Sequence, residues 1–261
     1  MAHKTMVGGT TYDITGGRTL VGGTGYGIKK GRTLVGGTGY DITFGVPVDP
    51  IFSNNDWATI IAACEAKAVP DTWKVGDSKP MSIDGTDYLI DIIGKDHDTY
   101  TAGGTAPLTF QMHDTFDDGY KMNSSNMSVW ATCEMRTTHL PAFLALMPAE
   151  VQASVKEVNK KTTAGNQSTT ITTTADKLFL LSEIEVAGEI AASASGEGTW
   201  YAYYANGGSQ VKVNSSGSAQ NWWLRSPRVA VDTHFCRVTS TGRLAYYQAS
   251  GAGRVSFAFC F

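Results

Sequence analysis

The feature that most constrains this chain is a unit repeated three times near its start. TMVGGTTYDITGG begins at Thr5, TLVGGTGYGIKKG at Thr19 and TLVGGTGYDITFG at Thr33, a period of 14 residues. Val7, Val21 and Val35 align, as do Tyr12, Tyr26 and Tyr40, and Ile14, Ile28 and Ile42. Each copy carries a Gly-Gly pair followed by Thr. Glycine enters positive φ without steric cost, so each unit is predicted to be two short extended pieces hinged at its glycines. One unit is too small to bury its own Val, Tyr and Ile. Stacked copies or partner chains must cover them. Residues 1–45 therefore read as an attachment or oligomerisation element, with a flexible glycine-rich leader as the alternative. They hold 13 of the 29 glycines, which sets them apart from the remainder.

The full 261 residues suffice for one sizeable domain plus such an extension. Charged residues make up 17% and the formal net charge is -3. That balance gives no general attraction to nucleic acid or to an anionic membrane. No apolar run approaches the roughly 20 residues needed to span a bilayer, so membrane insertion is not expected. MAHKTMVGGT lacks the apolar stretch of a secretory signal, so no export route is expected from it. Cys64, Cys133, Cys236 and Cys260 are widely spaced and form no CxxC pair. They are expected to be buried free thiols, with a Cys236–Cys260 bridge left open.

After a proline-bearing connector at 46–52, Ser53 or Asn54 is positioned to cap a helix. Trp57, Ile60, Ile61 and Cys64 share one face of it, and it should end before Pro70. MSIDGTDYLIDIIG is predicted to be a hairpin turning at Asp84-Gly85. APLTFQMH is a candidate strand. Residues 138–150 read as a helix with Leu140, Phe143, Leu144 and Met147 on one side and Pro141 in its first turn. STTITTTADKLFLLSEIEV holds β-branched and aliphatic runs suited to strands. VSFAFCF alternates, with Phe257, Phe259 and Phe261 on one face and Ala258 and Cys260 on the other. It is expected to be anchored in the core.

KVGDSK at 74–79, DYLIDIIGKDHD at 87–98, ADKLFLLSEIEV at 175–186, NWWLRSP at 221–227 and VSFAFCF at 255–261 together resemble one family. Its domains occur in gut-bacterial and prophage proteins. They are similar to the formylglycine-generating-enzyme branch of C-type-lectin folds, the branch used by variable proteins of diversity-generating retroelements. The resemblance covers about residues 50–261, and the GGTGYDI repeats are similar to units of phage tail-associated proteins. It implies an α+β fold: a C-type-lectin-like domain at 46–261 with a mainly antiparallel sheet and two flanking helices, preceded by the glycine-rich β-repeats. It also implies a variable segment at about 228–254, displayed between scaffold ends. In that family, randomised AAY codons yield about fifteen residue types but never Lys, Glu, Gln, Met or Trp. Residues 228–254 hold no Lys, Glu, Met or Trp, and Gln248 is the one departure.

Within that segment the candidate ligand-binding residues are Arg228, Val231, His234, Arg237, Thr239, Arg243, Ala245, Tyr246, Tyr247 and Gln248. Tyrosines give large amphipathic contact area with few rotatable bonds, and arginines give planar hydrogen-bond forks. Both types carry binding energy at interfaces. Asp232 is the one acid between Arg228 and Arg254, so the patch is locally basic, and an acidic or hydroxyl-rich partner is expected. Trp222 and Trp223 read as scaffold and Arg225 as a structural hydrogen-bond donor. The resemblance implies a receptor-binding protein, tail-associated on a virion or at a bacterial cell surface, that meets a host-surface protein or glycan. Phage fibre-tip proteins are often trimers, and repeats that need partners agree with a homo-oligomer.

Other function classes have less support. The cysteine-oxidising relatives use paired thiols near a metal. Cys236 and Cys260 would be that pair, but no further ligand residues accompany them, so no enzyme is expected. His3, His97, His113, His139 and His234 are isolated, with no HExxH or Cys/His cluster. Asp96, His97 and Asp98, or Asp114, Asp117 and Asp118, lack EF-hand spacing. No P-loop occurs, so no cofactor or metal is expected. A structural virion or surface protein without a specific receptor remains the alternative.

Overall fold

The computed structural model describes residues 48–261 in full and, before them, the strand backbones between His3 and Thr43. The chain divides into two units, Met1–Asp49 and Pro50–Phe261. In the first, each repeat is one antiparallel hairpin: β1 (His3–Val7) with β2 (Thr10–Ile14), β3 (Arg18–Val21) with β4 (Thr24–Gly27), and β5 (Lys30–Val35) with β6 (Thr38–Thr43). The register is the same in all three. Val7, Val21 and Val35 oppose Thr10, Thr24 and Thr38, so each Gly-Gly pair falls between paired strands. The expected burial of the Val, Tyr and Ile positions falls outside the described residues.

The second unit is α+β, with mostly antiparallel strands and short helices. β7 (Ser78–Ile83) and β8 (Thr86–Lys95) form the hairpin expected at Asp84-Gly85. Both turn residues have positive φ, 51° and 76°, as a twist-matched two-residue turn requires. β9 (Leu108–Met112) continues this sheet, and β19 (Ala258–Cys260) closes it in the order β19-β9-β8-β7. A two-stranded ladder joins β10 (Tyr120–Lys121) to β18 (Ala252–Gly253). Another pairs β11 (Val158–Thr163) with β12 (Ile171–Asp176), and a third pairs β13 (Lys212–Val213) with β14 (Ala219–Gln220). The second larger sheet is β15 (Trp222–Pro227), β16 (His234–Val238) and β17 (Leu244–Gln248), in that order.

β19 separates two packed layers, as its alternation predicts. Phe257, Phe259 and Phe261 join Phe110, Phe116, Phe143 and Trp57 in an aromatic layer with neighbouring ring centroids 4.8–6.4 Å apart. Ala258 and Cys260 face the other cluster, with Phe179, Leu181, Trp222, Leu224, Cys236 and Val238.

The helices depart from the sequence reading in detail. α1 (Trp57–Glu65) buries Trp57, Ile60, Ile61 and Cys64 as expected, but its cap is Asp56, whose carboxylate accepts from the Thr59 N–H at 2.7 Å. Ser53 and Asn54 lie instead in a short 3-10 turn. The helix expected at 138–150 is split into α2 (Leu140–Leu146) and α3 (Ala149–Ser154). Met147 turns extended before Pro148, whose ring disfavours a helical predecessor. The FLLSEIEV run holds a short helix, α4 (Glu183–Ala187), where a strand was expected. Ser182 and Glu185 form a reciprocal capping box that outweighs the β-prone aliphatics beside it. With α5 (Ala202–Ala205) this makes five short α-helices in the described residues, besides two 3-10 turns and a π-helical turn, rather than a flanking pair.

A charged network lies inside the unit. Lys160, 3% exposed, sits 2.7 Å from Asp98 and 2.8 Å from Glu185. Arg225, fully buried, grips Glu185 through two nitrogens at 2.5 and 2.8 Å. Burial pushes the Asp98 carboxyl up, but the Lys160 ammonium and the Thr109 hydroxyl outweigh it and hold it at about 2. A carboxyl depressed below its unfolded value adds stability that is complete above about pH 4 and lost as pH falls through the folded value. Urea titrations of the wild type should therefore show stability declining between about pH 4 and pH 2. Asp98→Asn should flatten that stretch of the curve. In the aromatic layer, Phe259→Ala should cost about 3–5 kcal/mol in the same measurement.

Candidate functional site

The segment between Pro227 and Val255 is a hairpin standing on a buried root. All six residues of β15 are buried. Trp222 faces the inner cluster and donates its indole N–H to the Gln210 carbonyl at 3.0 Å. Trp223 faces the other way and donates to the Tyr120 carbonyl at 2.8 Å. Gly253 lies flat on that indole: a Cβ there would stand 2.6 Å from Nε1, so only glycine lets β18 approach.

Arg225 is the structural donor expected. Besides Glu185, its guanidinium donates to the carbonyls of Lys161, Leu180 and Glu197 and to the Thr162 hydroxyl, all within 3.2 Å. Next to it, the Ser226 hydroxyl donates to Glu197, whose other oxygen accepts from the Thr163 N–H at 2.7 Å. The Glu183 carboxylate holds the neighbouring loop through the N–H groups of Ala192 and Ser193. The Ala192 carbonyl in turn accepts from the Val229 N–H at 3.0 Å. The base of the displayed segment is thus pinned by buried, hydrogen-bonded charges.

Beyond this base the candidate residues come to the surface. Arg243, Tyr246, Tyr247 and Gln248 are exposed, and Arg228, Val231, His234, Arg237, Thr239 and Ala245 are half-buried. Tyr246 is 43% exposed and Tyr247 41%. Two arginines lie on these rings: Arg228 is 3.6 Å from the Tyr246 centroid and Arg237 is 4.4 Å from that of Tyr247. His234 meets Tyr246 edge-on at 5.8 Å. Thr239 is occupied locally, its hydroxyl accepting from the Arg243 N–H at 3.0 Å across the turn. Val231 sits between two turns of the β15–β16 connection, where the Asp232 carbonyl accepts from the Ser128 N–H.

The patch is not one continuous face. Cys236 opposes Tyr246 and Phe235 opposes Tyr247, so strand alternation sends the two tyrosines to opposite sides of the sheet. Arg228, His234 and Tyr246 gather on the side of Cys236. Arg237, Ala245 and Tyr247 gather on the side of Trp223, which opposes Arg237. Among the described residues no carboxylate pairs with Arg228, Arg237 or Arg243, and the Arg237 Nε is buried without a hydrogen-bond partner. Burial draws the Arg237 guanidinium below its usual range. The His234 imidazole is likewise drawn down, by burial first and the Arg228 charge second.

Residues 108–260 match the profile of a family described as a domain of unknown function, DUF6273. The chain belongs to the DUF6273 family. The match runs from β9 into β19, so the buried root and the displayed hairpin both lie within the DUF6273 domain. No curated protein and no solved structure matches the chain.

The four cysteines of this DUF6273 protein are all free and buried. Burial raises Cys236 and Cys260 well above the ordinary thiol range, the opposite of an activated thiolate. Three of the acidic residues that lack EF-hand spacing have partners within the fold. Asp98 belongs to the buried network, Asp117 accepts from Ser215, and Asp114 accepts from the Val213 N–H. Lys160 and the Glu183–Glu185 helix went unnoticed in the sequence. The S-x-x-E spacing of Ser182 and Glu185 was the available signal for the latter.

The root and the tip should respond differently to truncation. Tyr246→Ala or Tyr247→Ala should shift stability by less than about 1 kcal/mol, since each is half in water. Trp223→Ala should cost at least about 3 kcal/mol. Urea denaturation of the three variants checks the contrast.

Proposed function

We propose that this DUF6273 protein is a ligand-binding module of C-type-lectin-like type, in which the scaffold around Arg225 presents residues 228–254 for recognition of a foreign surface. The observation that carries the reading is the pairing of Arg228 and Arg237 with exposed tyrosines above a fully buried β15. Cation–π stacking holds each arginine in place, so little side-chain freedom is lost when a ligand arrives. The guanidinium forks keep unfilled donors for a carboxylate, phosphate or hydroxyl-rich partner.

The module is proposed as a variable protein of a diversity-generating retroelement, carried at a phage tail or a bacterial surface and used in host attachment. The residue types within 228–254 support this. So does the division between a fully buried root and an exposed tip. The repeat hairpins fit an attachment or oligomerisation role, with a trimer as the proposed assembly. Binding rather than catalysis is supported by the burial of the shifted groups: Asp98, Glu185 and Cys260 lie inside the scaffold, and the Cys236 thiol opposite Tyr246 is buried and pushed up rather than activated.

Two measurements test the proposal. Labelled protein is applied to a glycan array and to a displayed random-peptide library. Binding to either probe should be lost in an Arg243→Ser, Tyr246→Ala, Tyr247→Ala variant whose melting is unchanged. Binding that survives those changes, or none to either probe, would overturn it. Separately, the encoding locus should carry a near-copy of the codons for 228–254 beside a reverse-transcriptase gene, differing at adenines. A locus without one removes the retroelement assignment.

A further inference from the structure

The outer edge of β17 is unprotected. The Thr239 N–H donates to the Arg243 carbonyl, and the Ala249 N–H donates to the Thr233 carbonyl. With the register Phe235–Tyr247 and Arg237–Ala245, this means residues 243, 245, 247 and 249 turn their backbone groups toward β16. Leu244, Tyr246 and Gln248 turn theirs outward. The Gln248 carbonyl is taken up by the Gly251 N–H. Among the described residues, the N–H and C=O of Leu244 and Tyr246 and the N–H of Gln248 make no backbone hydrogen bond.

The other edges of the two larger sheets are treated differently. β15 is closed along its far side, where Trp223 N–H donates to the Arg254 carbonyl and Arg225 N–H to that of Leu181. β19 is bridged by Phe179, which exchanges two hydrogen bonds with Ala258. β7 carries Lys79 and Pro80, residues that blunt strand addition, and its outward Pro80 carbonyl accepts from the Trp57 indole N–H at 3.0 Å. β17 reads Leu-Ala-Tyr-Tyr-Gln, with neither proline nor charge.

We infer that the open edge of β17 takes up an extended, acidic segment of a partner protein as an added strand. The inference rests on the binding reading above and names its mode and partner class. Main-chain hydrogen bonds to Leu244, Tyr246 and Gln248 supply the attachment. An added strand lies about 4.8 Å from β17, and its side chains alternate between the two sheet faces. One set meets Tyr246 with Arg228 above it, and the other meets Tyr247 with Arg237 above it. Both faces thus offer an aromatic ring capped by an unpaired cation. Charge complementarity selects acidic side chains at neighbouring positions of the segment. It disfavours a second copy of this chain, because two such edges would set Arg228, Arg237 and Arg243 against their own kind.

The split of Tyr246 and Tyr247 between faces, awkward for a flat contact, is what strand addition requires. A ligand lying on one side of the sheet would touch one tyrosine and miss the other.

The test uses the full chain and a displayed library of random twelve-residue peptides. Selected peptides should be rich in Asp and Glu and free of proline at their centre. Hydrogen exchange with a selected peptide bound should slow the amides of Leu244, Tyr246 and Gln248 by at least tenfold. Those of Ala245 and Tyr247, already bonded to β16, should change little. Tyr246→Pro, which removes an outward N–H without breaking a β16 bond, should weaken peptide binding at least tenfold with its melting temperature close to wild type. If that variant does not fold, the exchange measurement on the wild type decides alone. Peptide binding that depends on Tyr246 and Tyr247 but leaves the three amides unprotected overturns strand addition while sparing the binding surface. Absence of any binding that depends on residues 228–254 overturns both. A doubled mass in solution, with those amides protected before peptide is added, shows a second copy as the occupant and overturns the acidic segment.

Discussion

The bidentate grip of Arg225 on Glu185 is the interaction on which the rest of the second unit depends. Both groups are buried, so each is tolerable only because the other is present and its remaining hydrogen-bonding sites are filled. Arg225 fills them with carbonyls from β11, from the segment before α4 and from residue 197. One side chain thereby ties together segments that share no ladder. Lys160 extends the network from Glu185 to Asp98, and Asp98 reaches Thr109 and Tyr201. The charges alternate along the path, which keeps the desolvation cost from accumulating at any one member. In such a network desolvation offsets much of the attraction, so the net gain in stability is small compared with the cost of removing one member.

That arrangement matters because β15 sits between the network and the hairpin. Arg225 and Ser226 face the buried charges, and Trp223 two residues earlier supports Arg237 and Tyr247. The β16–β17 hairpin is anchored to the core through that strand. The backbone of the displayed segment is tied into the fold by many hydrogen bonds, while the side chains of Arg228, Arg243, Tyr246, Tyr247 and Gln248 make few. The division of labour runs along one strand pair rather than between domains.

Much of this was legible in the sequence, where local chemistry decides the outcome. Asp84-Gly85 has few alternatives to a hairpin turn, and the alternating phenylalanines of VSFAFCF declare a strand with two packed sides. Trp222 and Trp223 announced a buried root. What stayed hidden depends on pairing across long separations. Lys160 stands in VNKKTT, which looks like a solvated strand. It is buried because Asp98, 62 residues away, waits for it. Ser182 and Glu185 form a capping box, but the aliphatics around them suggested a strand. The candidate residues were placed in the right segment, yet their partition between two faces follows only once β17 is known to start at Leu244. A period of two then separates neighbours that the sequence sets side by side.

The cysteines carry a final consequence. Burial pushes Cys64 and Cys133 up to about 12 and holds Cys236 and Cys260 well above the ordinary thiol range. None is bridged, and each packs as a small apolar side chain. The architecture therefore asks nothing of the redox state around it. The fold closes without forming a covalent cross-link between the cysteines. Peroxide finds almost no thiolate to attack.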